Sequence, residues 1–170
     1  MELGLTFPLQ RRLRRAVPYG RASSRLFCWD LHCISLQGRD SLLLVHSSSR
    51  YTVLVWDLSS ADWSSLPELA VEHIRLGLLD SGISRETADR YLARCGSPEL
   101  TRTHGRREVA FLNRAWEDAA ALDWTLDKTS RHQSLLAHAV NTRLCRCAGH
   151  PDRSTALEFL HRDLARFAEL

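Results

Sequence analysis

The stretch LHCISLQGRDSLLLVHSSSRYTVLVW, residues 31–56, decides the fold. It contains three short runs rich in Val, Ile, Leu and aromatic residues, at 31–36, 41–46 and 51–56. Polar segments with turn-forming residues separate these runs. Because a turn follows each run and no helical segment intervenes, the pattern predicts an antiparallel meander and excludes a parallel βαβ arrangement for this part of the chain.

The flanking sequence predicts two further short strands, at 2–6 and 99–103. Pro8 opens a basic helical turn over 9–15, because proline is tolerated at the first helical position. Apolar residues at the three-and-four spacing of amphipathic helices predict the larger helices, at 63–78, 84–96, 108–122 and 154–170. The segment 135–144 is compatible with either helix or strand. We therefore expect one α+β domain, residues 1–170, in which several helices cover one face of an antiparallel sheet of four or five strands, with the other face partly open.

Composition is that of a folded cytoplasmic domain. The chain has 170 residues, of which 44% are hydrophobic and 25% charged, with a formal net charge of +3. No apolar run reaches the roughly 20 residues that a bilayer span needs, and none follows the basic N-terminal segment as a secretory signal would require. An odd number of cysteines, five, favours reduced thiols. We therefore expect a cytoplasmic protein without membrane attachment.

The highest concentration of charge is a cluster of four arginines, Arg11, Arg12, Arg14 and Arg15. Arginines grouped in this way can neutralise the phosphates of a nucleic acid. The alternative is a solvated helix face that acidic neighbours balance in the fold, which the small net charge favours.

Two Asn–Arg elements predict a shared polar site. They are Asn113-Arg114 and Asn141-x-Arg143. An amide that donates and accepts beside a planar guanidinium group is suited to recognition of phosphates or bases. The alternative is that each Asn satisfies a backbone group while its Arg faces water or a carboxylate.

The sequence gives only a weak metal motif, Cys145-x-Cys147-x-x-His150, with His138 or His161 as a fourth ligand. Structural zinc sites usually pair cysteines as C-x-x-C, and this segment has a single C-x-C. Buried, unreactive cysteines are the favoured interpretation. We expect no metal and no cofactor.

Catalytic motifs are missing from the sequence, which has no G-x-S-x-G, H-E-x-x-H or G-x-x-x-x-G-K pattern. A nucleophile with its base is suggested by four neighbouring residues, Cys28, Asp30, His32 and Cys33. Alternation along a strand, however, places Asp30 and His32 on one face and Cys33 on the other. A site assembled from distant residues, such as His104 with Arg106 and Arg107 acting on a phosphodiester, stays open.

Six segments of the sequence carry a resemblance: Leu3-Gly4-Leu5-Thr6, Leu9 to Leu13, Arg50-Tyr51-Thr52-Val53, the helix after Trp56, Phe111-Leu112-Asn113-Arg114 and Val140-Asn141-Thr142-Arg143. In these segments the chain resembles a small bacterial family whose function is unknown. The resemblance implies a bacterial, cytosolic, single-domain protein and transfers no catalytic residue, cofactor or substrate.

These observations favour a non-catalytic binding module whose partner is another protein or a second copy of the chain. The alternative is an RNA-directed protein, either a binder or a small metal-independent ribonuclease. Its surface would combine the arginines at 11–15 with Asn113, Arg114, Asn141 and Arg143.

Overall fold

The structure is a computed structural model that describes residues 1–147 and 149–168. The described residues form seven strands: β1 (Glu2–Leu5), β2 (Cys28–Leu36), β3 (Arg39–His46), β4 (Thr52–Val55), β5 (Glu99–Arg102), β6 (Leu144–Arg146) and β7 (Arg153–Thr155). They also form seven α-helices: α1 (Phe7–Arg12), α2 (Ser60–Ser64), α3 (Leu66–Asp80), α4 (Arg85–Cys95), α5 (Arg106–Ala121), α6 (Ser134–Asn141) and α7 (Ala156–Ala168). The α+β class is therefore confirmed.

Five strands form one sheet in the order β4-β3-β2-β1-β5. The predicted meander is present, since β2, β3 and β4 pair antiparallel in sequence order. The prediction of a wholly antiparallel sheet is wrong, because β1 lies between β2 and β5 and is parallel to both. Parallel neighbours need a crossover connection, and the segment containing α1 supplies it between β1 and β2.

Helices cover both faces of this sheet, so the prediction of one partly open face is also wrong. Alternate residues of β3 enter two separate apolar clusters: Leu42 and Leu44 face α3, α4 and α7, whereas Leu43 and Val45 face α5 and α6. A strand whose successive residues are all apolar is buried on both faces. The sheet is therefore the middle layer of three.

The helix predictions hold with shifted ends. The helix predicted at 63–78 is divided in two: Trp63 lies in the short helix α2, and α3 begins at Leu66. The ambiguous segment 135–144 is mostly helical, as α6, and its last residue begins β6. Ser154 belongs to the hairpin that β7 forms with β6, so the last helix begins at Ala156. Residues 169 and 170 of that prediction lie outside the described residues.

None of the helices among the described residues is long and apolar enough to span a lipid bilayer.

Candidate functional site

Arg114 and Arg143 meet at one carboxylate. Arg114 lies on α5 and Arg143 follows α6, and their guanidinium nitrogens lie 3.3 and 3.2 Å from Oδ1 of Asp118. Asp118 is one helical turn beyond Arg114, so both side chains leave the same face of α5. One arginine from each Asn–Arg element thus reaches a single place.

Arg50 completes a cleft beside this pair. It lies in the turn before β4, where its guanidinium group covers the ring of Phe111 at 4.6 Å from the centroid and donates to the carbonyl of Arg146 at 2.7 Å. The cleft has a volume of about 250 Å³. We call it the arginine pocket; the residues used to define it are Arg50, Phe111, Arg114, Asp118, Arg143 and Leu144.

Charge in the arginine pocket is unbalanced. Three guanidinium groups face two carboxylates, Asp118 and Glu117, the second of which lies 3.5 Å from Arg114. Cys145 also lines the cleft, and burial raises the pKa of its thiol. A protonated thiol is a poor nucleophile. The arrangement suits binding of an anionic group rather than attack on it.

The two asparagines of the Asn–Arg elements do not act together. The side chain of Asn141 is buried and exchanges two hydrogen bonds of 2.7 Å with the backbone of Thr52, accepting from its N–H and donating to its carbonyl. It therefore completes the hydrogen bonding of the outer strand β4. Asn113 is exposed on α5. Asn141 also lines the cleft, but its amide is bonded to Thr52, so the charged groups that the two elements bring to the cleft are their arginines.

The four N-terminal arginines lie elsewhere. Arg12 pairs with Asp40 near the start of β3, and its guanidinium group covers Trp63 at 4.5 Å. Arg50 of the arginine pocket follows the opposite, C-terminal end of β3. Eight strand residues span roughly 26 Å. The two arginine groups therefore do not form one surface.

Two aromatic side chains that are close to these arginines in sequence face solvent. Phe7 is 70% exposed and Tyr19 is 73% exposed. Arg11 lies 5.9 Å from the ring centroid of Phe7, and Arg102 lies 4.5 Å from that of Tyr19. We call this region the N-terminal basic surface; its residues are Phe7, Arg11, Arg14, Arg15, Tyr19 and Arg102. Among the described residues, no carboxylate lies within ion-pair distance of Arg11, Arg14 or Arg15.

Cys145, Cys147 and His150 do not converge. The thiol of Cys147 donates to the carbonyl of Ser48 at 2.7 Å, and Nε2 of His150 lies 3.2 Å from Oδ1 of Asp163. Of the two suggested fourth ligands, His161 donates to the carbonyl of Ser81, and His138 is exposed on α6.

A different group gathers metal-ligand atoms. Among the described residues, Glu2, Cys28 and His104 are the one set whose ligand atoms all lie within 4.8 Å of one another. His104 also bonds to Asp30 through Nδ1. Although burial would lower the pKa of His104, its bond to Asp30 and its neighbour Cys28 raise it to about 10. Sequence reasoning missed this set because its members are far apart along the chain.

The suspected pairing of Asp30 with Cys33 does not form. Asp30 faces the side of the sheet that carries His104, whereas Cys33 packs against the apolar cluster on the other side. Strand alternation separates them, as predicted.

His132 lines a second cavity, of about 190 Å³, and pairs with a second histidine, His73. Nδ1 of His73 is 3.0 Å from Nδ1 of His132, whose Nε2 is 2.9 Å from Asp80. Burial, followed by the positive charges of His132 and Arg131, lowers the pKa of His73 to about 4. A neutral His73 lets one of the two facing nitrogens accept the hydrogen bond.

Because the pKa of His73 is lowered in the folded chain, we expect acid to destabilise the fold. Between about pH 6.5 and pH 4 the unfolded chain holds a proton on residue 73 that the folded chain lacks, so stability falls as pH falls. From pH 7 to pH 5 this residue contributes a loss of about 2 kcal/mol to the free energy of unfolding, measured as the difference in pH dependence between the wild type and His73→Phe by urea unfolding at each pH. His138→Ala, at an exposed position, should keep the pH dependence of the wild type. Equal pH dependence in the wild type and His73→Phe would contradict the assignment.

Comparison with protein families gives a match over most of the chain. The profile described as a domain of unknown function, DUF6933, matches residues 2–154. The chain belongs to this family. The resemblance to a family of unknown function is thereby confirmed, and DUF6933 contributes no assigned activity. No curated protein matches the chain. All six residues of the arginine pocket lie inside the region that the DUF6933 profile covers.

Proposed function

We propose that the chain is a non-catalytic binding module of the bacterial cytosol, acting as one domain, and that its arginine pocket receives an acidic side chain of a partner protein. The observation that carries the proposal is the set of three guanidinium groups around one small cleft. The five cysteines are free thiols, which supports a reducing compartment.

The size of the cleft favours a single side chain. Its volume of about 250 Å³ is below the range of about 300–1,000 Å³ that is usual for sites of drug-sized ligands. A carboxylate fits the planar fork of a guanidinium group and forms charge-assisted hydrogen bonds with it.

The walls of the cleft favour a protein over a nucleic acid. Leu144, at the cleft, is 68% exposed and offers apolar contact to a neighbouring side chain. Phe111 is only 8% exposed and lies beneath Arg50, so its ring has no free face on which a base could stack. Arginine beside apolar side chains is the usual composition of protein interfaces.

The test is fluorescence anisotropy with labelled peptides that carry an aspartate between apolar residues, compared with the same peptides carrying asparagine. We expect the aspartate peptides to bind more tightly, and Arg143→Ala to weaken their binding about tenfold or more, since one charge-assisted bond contributes about 1.5 to 3 kcal/mol. Arg85→Ala, an exposed arginine on α4, is the matched control and should bind as the wild type does. Equal binding by Arg143→Ala and the wild type would refute the proposal.

A second candidate function, RNA binding, is supported by the N-terminal basic surface. Exposed aromatic rings flanked by arginines provide stacking faces and phosphate contacts for a single strand.

The same titration with a labelled oligouridine distinguishes the two functions. RNA binding that falls in Arg11→Ala and Phe7→Ala but not in Arg143→Ala would assign RNA to this surface. Three phosphate contacts give a salt slope of about −2.

A further inference from the structure

The cluster formed by Glu2, Cys28 and His104 lies at the start of two parallel strands. Glu2 of β1 and Cys28 of β2 are register partners, so their side chains leave the same face of the sheet. His104 follows β5, the other neighbour of β1, and its Nε2 reaches Oε2 of Glu2 at 3.0 Å. The parallel register thus brings together three residues that are far apart in sequence.

All three side chains are withdrawn from solvent. Cys28 is fully buried, and the side chains of His104 and Glu2 are 2% and 11% exposed. Carboxylate, thiolate and imidazole are three of the ligand types that proteins offer to divalent transition metals. Sulfur in the set disfavours magnesium and calcium, which take oxygen ligands.

Asp30 holds His104 in the orientation that a metal ligand needs. Oδ1 of Asp30 accepts hydrogen bonds of 3.0 Å from both Nδ1 and the backbone N–H of His104, and its Oδ2 accepts from the hydroxyl of Ser47 at 2.6 Å. With Nδ1 engaged, Nε2 is the atom that faces Glu2 and Cys28. Histidine ligands of metals almost always donate their other ring nitrogen to a carboxylate or carbonyl in this way.

Glu2 is oriented in the same manner. Its Oε1 accepts from the backbone N–H groups of Arg21 and Ala22 at 2.6 and 2.7 Å, which leaves Oε2 toward His104. The backbone approaches both carboxylates closely. A Cβ on Gly20 would collide with Oε2 of Glu2, and one on Gly4 would collide with Oδ1 of Asp30. Both carboxylates are therefore fixed by the surrounding chain.

We propose that Oε2 of Glu2, Sγ of Cys28 and Nε2 of His104 bind one divalent metal ion of the zinc class, with Asp30 as the positioning residue for His104. Neighbouring N and O ligands of tetrahedral zinc are about 3.3 Å apart, given bonds of about 2.0 Å. The 3.0 Å between Nε2 and Oε2 needs a change of only a few tenths of an ångström.

Binding displaces the proton of Nε2 and that of the Cys28 thiol, which donates to the carbonyl of Ser24 in the metal-free chain. Three protein ligands leave one coordination position to another ligand.

The experiment uses the full chain after removal of metal by a chelator. On addition of zinc chloride we expect one zinc ion per chain by elemental analysis. At a free zinc concentration about a hundred times the Kd, the midpoint of thermal unfolding should rise by about 5 to 10 °C. Addition of cobalt chloride should give a thiolate-to-cobalt charge-transfer band, which reports Cys28 directly.

Variants assign the ligands. Cys28→Ser should abolish the charge-transfer band and weaken zinc binding at least tenfold, whereas Cys33→Ser, on the same strand but the opposite face, should keep both. Glu2→Gln serves if Cys28→Ser does not fold. It should keep the cobalt band at saturation and bind zinc at least about tenfold more weakly, because a neutral amide replaces the charged carboxylate ligand. Absence of stoichiometric zinc in the wild type, or a band that persists in Cys28→Ser or disappears in Cys33→Ser, would overturn the proposal.

Discussion

Replacement of Asp30 by alanine should lower the free energy of unfolding by about 3 to 5 kcal/mol. The Asp30 carboxylate is buried and accepts three hydrogen bonds, two from His104 and one from Ser47. Without it, a buried imidazole and a buried hydroxyl lose their acceptor, and among the described residues the charge of His104 keeps Glu2 as its one carboxylate partner. An m-value equal to that of the wild type in urea unfolding would show that the variant is less stable without a change in the compactness of its folded or unfolded state.

The control for this variant is Asp89→Ala. Asp89 is an exposed carboxylate that pairs with Arg75 at 2.9 Å. An exposed ion pair contributes at most about 1 kcal/mol, so this variant should remain close to the wild type. If Asp30→Ala is no less stable than Asp89→Ala, the buried network has no structural role.

Replacement of Asn141 by alanine should cost about 2 to 4 kcal/mol. The amide side chain satisfies both backbone groups of Thr52, the first residue of β4, at a buried position. Each buried group left without a partner costs about 1 to 3 kcal/mol. Thermal and urea unfolding measure the loss.

The matched control is Asn113→Ala, which removes the same side chain from an exposed position on α5. We expect it to change stability by less than about 0.5 kcal/mol. Similar losses in the two variants would mean that Asn141 does not complete the strand edge as the structure indicates.

The meander could be predicted from sequence because each of its pairings is local. Turn residues between apolar runs specify antiparallel neighbours, and β2, β3 and β4 follow that order. The run Leu42–Val45 also contained the signal for a sheet buried on both faces, since four successive apolar residues cannot all face one side. That signal was interpreted as strand alone, which led to the wrong prediction of an open face.

The position of β1 could not be predicted in the same way. Its pairing with β5 joins Glu2 to Glu99, and no periodicity in either segment specifies a distant parallel neighbour. The buried network of Asp30 and His104 depends on this pairing, so it was missed with it. By contrast, the Asn–Arg elements correctly singled out Arg114 on α5 and Arg143 just after α6. The third arginine, Arg50, depends on a turn whose direction tertiary packing sets.

The position of β1 between β2 and β5 also implies an order of folding steps. The meander closes through contacts between near neighbours in sequence, whereas β1 obtains its second partner only when β5 docks. Until then β1 presents a row of unpaired backbone groups, the kind of edge that recruits strands from other molecules. Partly folded chains are therefore most vulnerable to aggregation at this edge, and docking of β5 removes the hazard at the same moment that it encloses His104.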